Sequence, residues 1–249
     1  MRVQTGDNVG IGGFIITGNA PKRVILRAIG PSLTITGALA DPVMELHGPA
    51  GFTTVINDNW RDTQEAEIIA TGIPPTNDLE SAIVVTLNPG PYTAIVKGTN
   101  STSGVALVEA YDLSQESPAK LGNISTRAFV STGANVMISG FILGAGGNTH
   151  LLIQGVGPSL PLPNPLFDPT LELRDSNGTL LDANDNCGMV SPLAPPHGPF
   201  PNNACDSSCS YPLEACMDDL LPPGAFTAIL AGKDGGTGVG LLEVYDLGQ

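Results

Sequence analysis

An internal repeat constrains the fold of this sequence more than any other feature. Comparing residues 3–60 with residues 130–187 without a gap gives 22 identities in 58 positions. Further along the chain the offset between matching residues grows from 127 to 134. The sequence therefore predicts two copies of one fold, over residues 1–114 and 121–249, joined by a polar linker at residues 115–120.

The composition between the repeat landmarks indicates strands rather than helices. The chain has 31 Gly and 22 Pro, and only 14% of its residues are charged. Short runs of Val, Ile, Leu and Thr bounded by Gly and Pro are typical of brief strands. We therefore expect an all-β fold of two tandem homologous antiparallel β-sandwich domains, jelly-roll-like in topology. The predicted elements of copy one are strands near 8–17, 22–29, 43–47, 52–57, 81–87, 91–97 and 104–112, and a helical stretch at 63–70.

Copy two begins with a strand-like segment, residues 121–129, that copy one lacks. Twelve residues of copy two precede Gly133, whereas five residues precede the equivalent Gly6. We expect copy one to lack its first strand, which leaves unpaired backbone at a sheet edge. Either the chain is a fragment with a disordered start, or a neighbouring subunit covers the gap. The second alternative would produce head-to-tail assembly by strand addition.

The seven extra residues of copy two fall in a cysteine-bearing loop, residues 187–216. An even number of cysteines in a chain poor in Lys favours disulfides and an oxidising compartment. The spacing leaves all three pairings open, and a zinc site is the weaker alternative. The cysteines are Cys187, Cys205, Cys209 and Cys216.

The net charge of −14 limits the partners of this protein. A strongly acidic surface repels nucleic acid and anionic membranes and attracts cations. No apolar run approaches the roughly 20 residues that a membrane-spanning helix needs. We therefore predict no nucleic-acid partner and no membrane insertion. The cysteines, which favour an oxidising compartment, predict a location that is extracellular or at the cell surface.

Acidic turns that recur in both copies indicate a calcium site. The triplet Asn-Asp-Asn at 57–59 returns at 184–186, and its side-chain oxygens are the hard donors that calcium prefers. The alternative is an Asx-turn, in which Asn and Asp bind their own backbone. The candidate ligands are Asn57, Asp58, Asn59, Asp78 and Glu80 in copy one, and Asn184, Asp185, Asn186 and Glu214 in copy two.

The sequence favours a non-enzymatic protein. The two copies share no histidine, and no Gly-x-Ser-x-Gly nucleophile turn is present. Paired acids for glycoside hydrolysis would need a sugar platform, yet aromatic residues make up 5% of the chain. Trp60 is the sole tryptophan and is the candidate contact for a surface glycan.

Two motifs carry a resemblance to known modules. The pattern from Gly30-Pro31-Ser32-Leu33 to Tyr111-Asp112-Leu113 resembles a repeat of roughly 120 residues found in tandem in large secreted bacterial proteins. The stretch Leu171 to Leu180 with the turn at 184–186 is similar to the bacterial pre-peptidase C-terminal β-sandwich domain. The resemblance implies stabilisation, surface binding or assembly rather than catalysis.

These features predict an extracellular structural protein, the protomer of a fibre or a section of a repeat array. Copies of the chain would assemble head to tail through β-strand contacts, with calcium and disulfides stabilising the loops. The alternative is a carbohydrate- or surface-binding module of a secreted enzyme.

Overall fold

The computed structural model describes residues 1–187, 205 and 211–248. It is nearly all β, with 52% of residues in strands and 7% in helices, which confirms the predicted all-β sandwich class. The chain divides into two compact units, Met1–Asn123 (unit 1) and Ile124–Gln249 (unit 2). Among the described residues, no helix is long and apolar enough to cross a membrane.

Unit 1 packs two antiparallel sheets around one core. One sheet has the order β2-β7-β4-β5 and the other has the order β6-β3-β9, and β1 pairs with β8. The bounds are β1 Arg2–Val3, β2 Gly10–Thr17, β3 Lys22–Ile29, β4 Pro42–His47, β5 Val55–Asn57, α1 Glu65–Ala70, β6 Ser81–Leu87, β7 Gly90–Gly98, β8 Gly104–Val105 and β9 Leu107–Asp112.

Unit 2 repeats this arrangement. One sheet has the order β11-β16-β13-β14, and the other has the order β15-β12-β17-β10. The bounds are β10 Lys120–Val130, β11 Met137–Leu143, β12 Thr149–Val156, β13 Pro169–Asp175, β14 Leu180–Asn184, β15 Ala215–Leu221, β16 Gly224–Gly232 and β17 Gly238–Gly248.

Alternation of buried and half-buried side chains builds the core of each sandwich. Along β4 and β13 every second residue is buried, as the period of two in a strand requires. Met44 and Leu46 of β4 occupy the core of unit 1 beside Phe14 and Tyr92, whose rings stack 5.6 Å apart.

The segment predicted as a linker, residues 115–120, is partly packed in the core of unit 1. Ala119 is 2% exposed and belongs to the core cluster of unit 1, and Leu121 packs against the same cluster. β10 begins at Lys120, so its first four residues belong to unit 1 and its remainder belongs to unit 2. The polar composition at 115–120 indicated a linker, but a small apolar side chain within it packs in a core.

Candidate functional site

The repeated Gly-Pro-Ser-Leu motif forms a turn held by a buried carboxylate. Glu80 is fully buried, and its Oε1 accepts hydrogen bonds from the backbone N–H of Gly30 (3.1 Å) and of Ser32 (3.0 Å), and from the Ser32 hydroxyl. Its Oε2 accepts from the Asn77 N–H at 3.3 Å. Four donors therefore surround one carboxylate that was predicted as a calcium ligand.

Unit 2 builds the same turn with Glu214. Its Oε1 accepts from the backbone N–H of Gly157 at 3.3 Å, from that of Ser159 at 3.0 Å, and from the Ser159 hydroxyl at 2.5 Å. A Cβ added at Gly157 would overlap the backbone carbonyl of Leu166, so a residue without a side chain is required there. The turn explains why Gly, Ser and Glu recur together in both copies.

The first Asn of each Asn-Asp-Asn triplet connects two strands. Asn57 Oδ1 accepts the Ala82 N–H at 2.9 Å, and Asn57 Nδ2 donates to the Asn59 carbonyl at 3.0 Å. Asn184 Oδ1 likewise accepts the backbone N–H groups of Cys216 (3.1 Å) and Asn186 (3.0 Å). These bonds include the local side-chain-to-backbone contact of an Asx-turn.

The central Asp of the triplet has different surroundings in the two units. Burial, together with the charges of Asp41 and Asp62, raises the pKa of Asp58, and the Thr99 hydroxyl donates to it at 3.4 Å. The buried Oδ1 atoms of Asp41 and Asn59 have no hydrogen-bond partner. Unit 1 therefore gathers carboxylates without a neighbouring side-chain cation to compensate them.

Unit 2 supplies its own cation at this place. Lys233 stands at the position of Thr99, and its Nζ lies 2.8 Å from the Asp185 carboxylate. The hydrogen bond from Lys233 lowers the pKa of Asp185. The hydrogen bond to Asp185, and to a smaller extent the charge of Asp168, the counterpart of Asp41, raise the pKa of Lys233. The lysine was missed from sequence, although alignment of the copies places it opposite Thr99.

The remaining predicted ligands engage other groups. Asp78 forms an ion pair with Arg61 at 2.6 Å, and Asn186 Nδ2 donates to Asp185 at 3.0 Å. Asn59 Nδ2 donates to Asp62 at 3.3 Å. Within the part of the chain that the structure describes, no three His, Cys, Asp or Glu side chains are arranged to hold a metal ion. Calcium binding stays a prediction.

The cysteine loop contains a disulfide. Cys205 and Cys216 are bonded, with their Cα atoms 5.6 Å apart, and Cys187 is disulfide-bonded as well. Cys209 lies outside the described residues. The disulfide prediction is confirmed for the pair Cys205–Cys216, which is compatible with the expected extracellular location.

Trp60 is part of a core rather than of a binding surface. Its side chain is 2% exposed and packs with Ile25 and Ile68, and its Nε1 donates to the Asn77 carbonyl at 3.1 Å. The Arg61 guanidinium lies 4.0 Å from the ring centroid. The Asn77 carbonyl and the Arg61 guanidinium hold the indole in place. Because the ring is buried, Trp60 offers no platform for a sugar ring.

The start of β10 covers one edge of unit 1. β10 is the neighbour of β2 in the strand order. A Cβ placed on Gly122 would lie 2.8 Å from the Thr17 side chain, and one on Gly18 would lie 3.1 Å from Ala119 Cα. Residues 119–123 therefore run close beside the end of β2 and contribute Ala119 to the core.

The equivalent edge in unit 2 belongs to β11, the counterpart of β2. In the described part of unit 2, β11 pairs with β16 alone and ends its sheet. Ile142 is 77% exposed and Ile138 is also exposed, whereas their counterparts Ile15 and Ile11 are half-buried. The edge of β11 is therefore more exposed than the matching edge of β2.

No model of a known protein family matches this chain, and no curated protein matches it at a significant level. The resemblance to secreted repeat modules stays a prediction. The functional proposals below rest on the comparison of the two units.

Proposed function

We propose that the chain is an extracellular structural protein that assembles head to tail by adding a β-strand to the open edge of β11. One observation carries this proposal: residues 119–123 cover the edge of β2 in unit 1, and β11 is the matching edge in unit 2. The fold itself thus contains one example of the contact that assembly would repeat. The occupant would be an open edge strand of a second copy, which would pair with β11 as the start of β10 pairs with β2.

The chemistry of β11 supports strand addition. Natural sheet edges are normally protected by Lys, Pro or a bulge that prevents pairing with another chain. β11 has the sequence Met-Ile-Ser-Gly-Phe-Ile-Leu, without charge or proline, and it pairs with β16 in one unbroken register from Met137 to Leu143. Its exposed isoleucines would be buried by an incoming strand, at roughly 25 cal/mol for each Å² of apolar surface removed from water.

A second open edge gives the assembly a direction. In unit 1, β9 ends its sheet among the described strands, whereas its counterpart β17 pairs with β10. The open edge of β11 in one copy would therefore pair with the open edge of β9 in the next. Contacts between two different surfaces propagate into filaments unless they close into a ring.

Two further features fit an extracellular filament. The disulfide Cys205–Cys216 suits an oxidising compartment. Asp41 and Asp58 correspond to Asp168 and Asp185, which have Lys233 beside them, so a calcium ion is the cation we propose at the equivalent place in unit 1. No observation favours the glycan-binding alternative, because Trp60 is buried.

Sedimentation velocity across a concentration series tests the proposal. We expect the unaltered chain to form dimers and larger species, and Ile142→Lys to stay monomeric because a charge at the edge opposes pairing. Ile69→Lys is the matched control, since Ile69 is an exposed isoleucine on α1. Monomers at all concentrations for the unaltered chain, or equal association of both lysine variants, would contradict edge-directed assembly.

A further inference from the structure

Unit 2 contains a cavity at one end of its sandwich, and this cavity has no part in the proposed assembly. Its walls are largely apolar, and a buried carboxylate reaches it. The lining includes Leu181, Leu221, Pro223, Phe226, Asp175 and Asp219. Cavities with apolar walls and one or a few polar groups are the usual form of small-ligand sites.

Unit 1 has an additional aromatic side chain near the matching end of its sandwich. Phe52 packs edge-to-face on Tyr92, with ring centroids 5.6 Å apart, and both belong to or pack against the core. The repeat offset places Thr179 at the position of Phe52 and Phe226 at the position of Tyr92. Unit 2 therefore lacks this phenyl ring, and Asp175 stands at the position of Gly48, where a Cβ would overlap the Phe52 ring.

Unit 2 also places acids where unit 1 has core valines. Val85 corresponds to Asp219 and Val55 to Asp182, and the strand registers agree with this alignment. Both valines pack against the unit 1 core, and both aspartates are buried in unit 2. Replacing two apolar groups by two carboxylates at buried positions costs free energy unless a partner compensates them.

Of these two buried acids, Asp219 has a carboxylate oxygen without a hydrogen-bond partner. Its side chain is 3% exposed, and its Oδ2 has no hydrogen-bond partner. Burial, and then the charges of Asp182 and Asp218, raise the pKa of Asp219 to about 7, while His150 acts in the opposite direction. Asp175, at the same cavity, already accepts the backbone N–H groups of Asn177 and Thr179.

We propose that this cavity binds a linear alkylammonium group, with the ammonium at the Asp219 carboxylate and the methylene stem against Leu181, Leu221 and Phe226. A primary ammonium offers three donors and a single charge on a flexible apolar stem. A divalent cation fits less well because it needs six or more oxygen ligands. The described residues around Asp219 do not form a group of three metal ligands.

The ammonium group could come from a free aliphatic amine or from a lysine side chain of another protein. Titration calorimetry on the full chain at about pH 8, above the Asp219 pKa, distinguishes the two sources. The probes are n-pentylammonium for the free amine and Nα-acetyl-lysine methylamide for the lysine side chain. Pentanol is the uncharged control, and tetramethylammonium is the control without a stem.

We expect saturable binding of at least one of the two alkylammonium probes, with a single site per chain and no binding of either control. Affinity should fall roughly tenfold per pH unit below about pH 7, as a proton competes for Asp219. Stronger binding of the lysine derivative would identify a protein partner, and stronger binding of the simple amine would identify a free ligand. No saturable binding of either alkylammonium probe would overturn the proposal.

Two variants copied from unit 1 locate the site without introducing foreign residues. Asp219→Val removes the carboxylate, and the double variant Asp175→Gly/Thr179→Phe restores the Gly48–Phe52 pair of unit 1, in which a Cβ at position 48 would overlap the Phe52 ring. Each should reduce probe affinity at least tenfold, by loss of the charge in the first case and by occupation of the cavity in the second. Probe binding equal to that of the unaltered chain in both variants would overturn the assignment.

Discussion

Replacing Asp219 with Val should stabilise unit 2, and the gain should depend on pH. The carboxyl titrates near its ordinary value of 3.8 in the unfolded chain and at about 7 in the folded one. A raised folded-state pKa means that the folded unit binds its proton more tightly than the unfolded chain does. The free energy of unfolding therefore falls as pH rises from about 4 to about 7, and levels off above.

The size of the effect follows from the shift. About three pKa units, at 1.36 kcal/mol each, give a loss on the order of 4 kcal/mol above pH 7. Asp219→Val removes this titration, whereas the contact of His150 with Asp218 remains in both proteins. The difference between variant and unaltered chain should thus report Asp219 together with its interaction with Asp182, Asp218 and His150, approaching that magnitude at pH 8 and becoming small near pH 4.

Urea unfolding at a series of pH values provides the assay. Far-ultraviolet circular dichroism follows both units, and the fluorescence of Trp60, the sole tryptophan, reports unit 1 as an internal control. The unit 2 transition should move to higher urea in the variant at pH 8, while the Trp60 transition stays in place. A variant that is destabilised at pH 8, or that has the same pH slope as the unaltered chain, would refute the burial argument.

Three other predictions concern the turns and the cysteine loop. Glu80→Gln removes the negative charge that accepts the N–H groups of Gly30 and Ser32, and it places an amide donor against the Asn77 N–H. The free energy of unfolding of unit 1, measured by urea unfolding with Trp60 fluorescence, should fall by about 2–4 kcal/mol. Unchanged stability would contradict a stabilising role of the Glu80 carboxylate. Thr99→Lys copies unit 2 and should abolish any thermal stabilisation by calcium, which a chelator titration measures; calcium stabilisation retained in the variant would place the ion elsewhere. Cys216→Ser should lower the free energy of unfolding of unit 2 by about 2–4 kcal/mol in denaturation without reductant. An unchanged free energy of unfolding would contradict a stabilising role of the Cys205–Cys216 disulfide.

The strands of unit 1 could be predicted because their local signals agree with one another. Residues 22–29 and 81–87 were expected as strands, and β3 and β6 have those bounds. Gly and Pro mark the turns, and apolar alternation marks the strands. The helix predicted at 63–70 forms at Glu65–Ala70, within the ordinary error for a helix end.

The roles of the acidic residues could not be predicted in the same way. Glu80 was expected to bind calcium, but its carboxylate accepts N–H groups from residues 50 positions away, which no local pattern reveals. Ala119 lies in a polar segment, and only the packed structure places it in a core. The contrast of Asp219 with Val85 was present in the aligned copies and signals a buried acid, because an acid replacing a core valine must be desolvated.

Head-to-tail assembly requires that the edge of β11 accepts a strand. A fluorescent peptide with the sequence of residues 116–125, titrated with the full chain and followed by anisotropy, measures this contact without requiring assembly. We predict saturable binding that Ile142→Lys abolishes and Ile69→Lys preserves, and no binding of a scrambled peptide. Absence of binding, or binding that Ile142→Lys leaves unchanged, would contradict the claim.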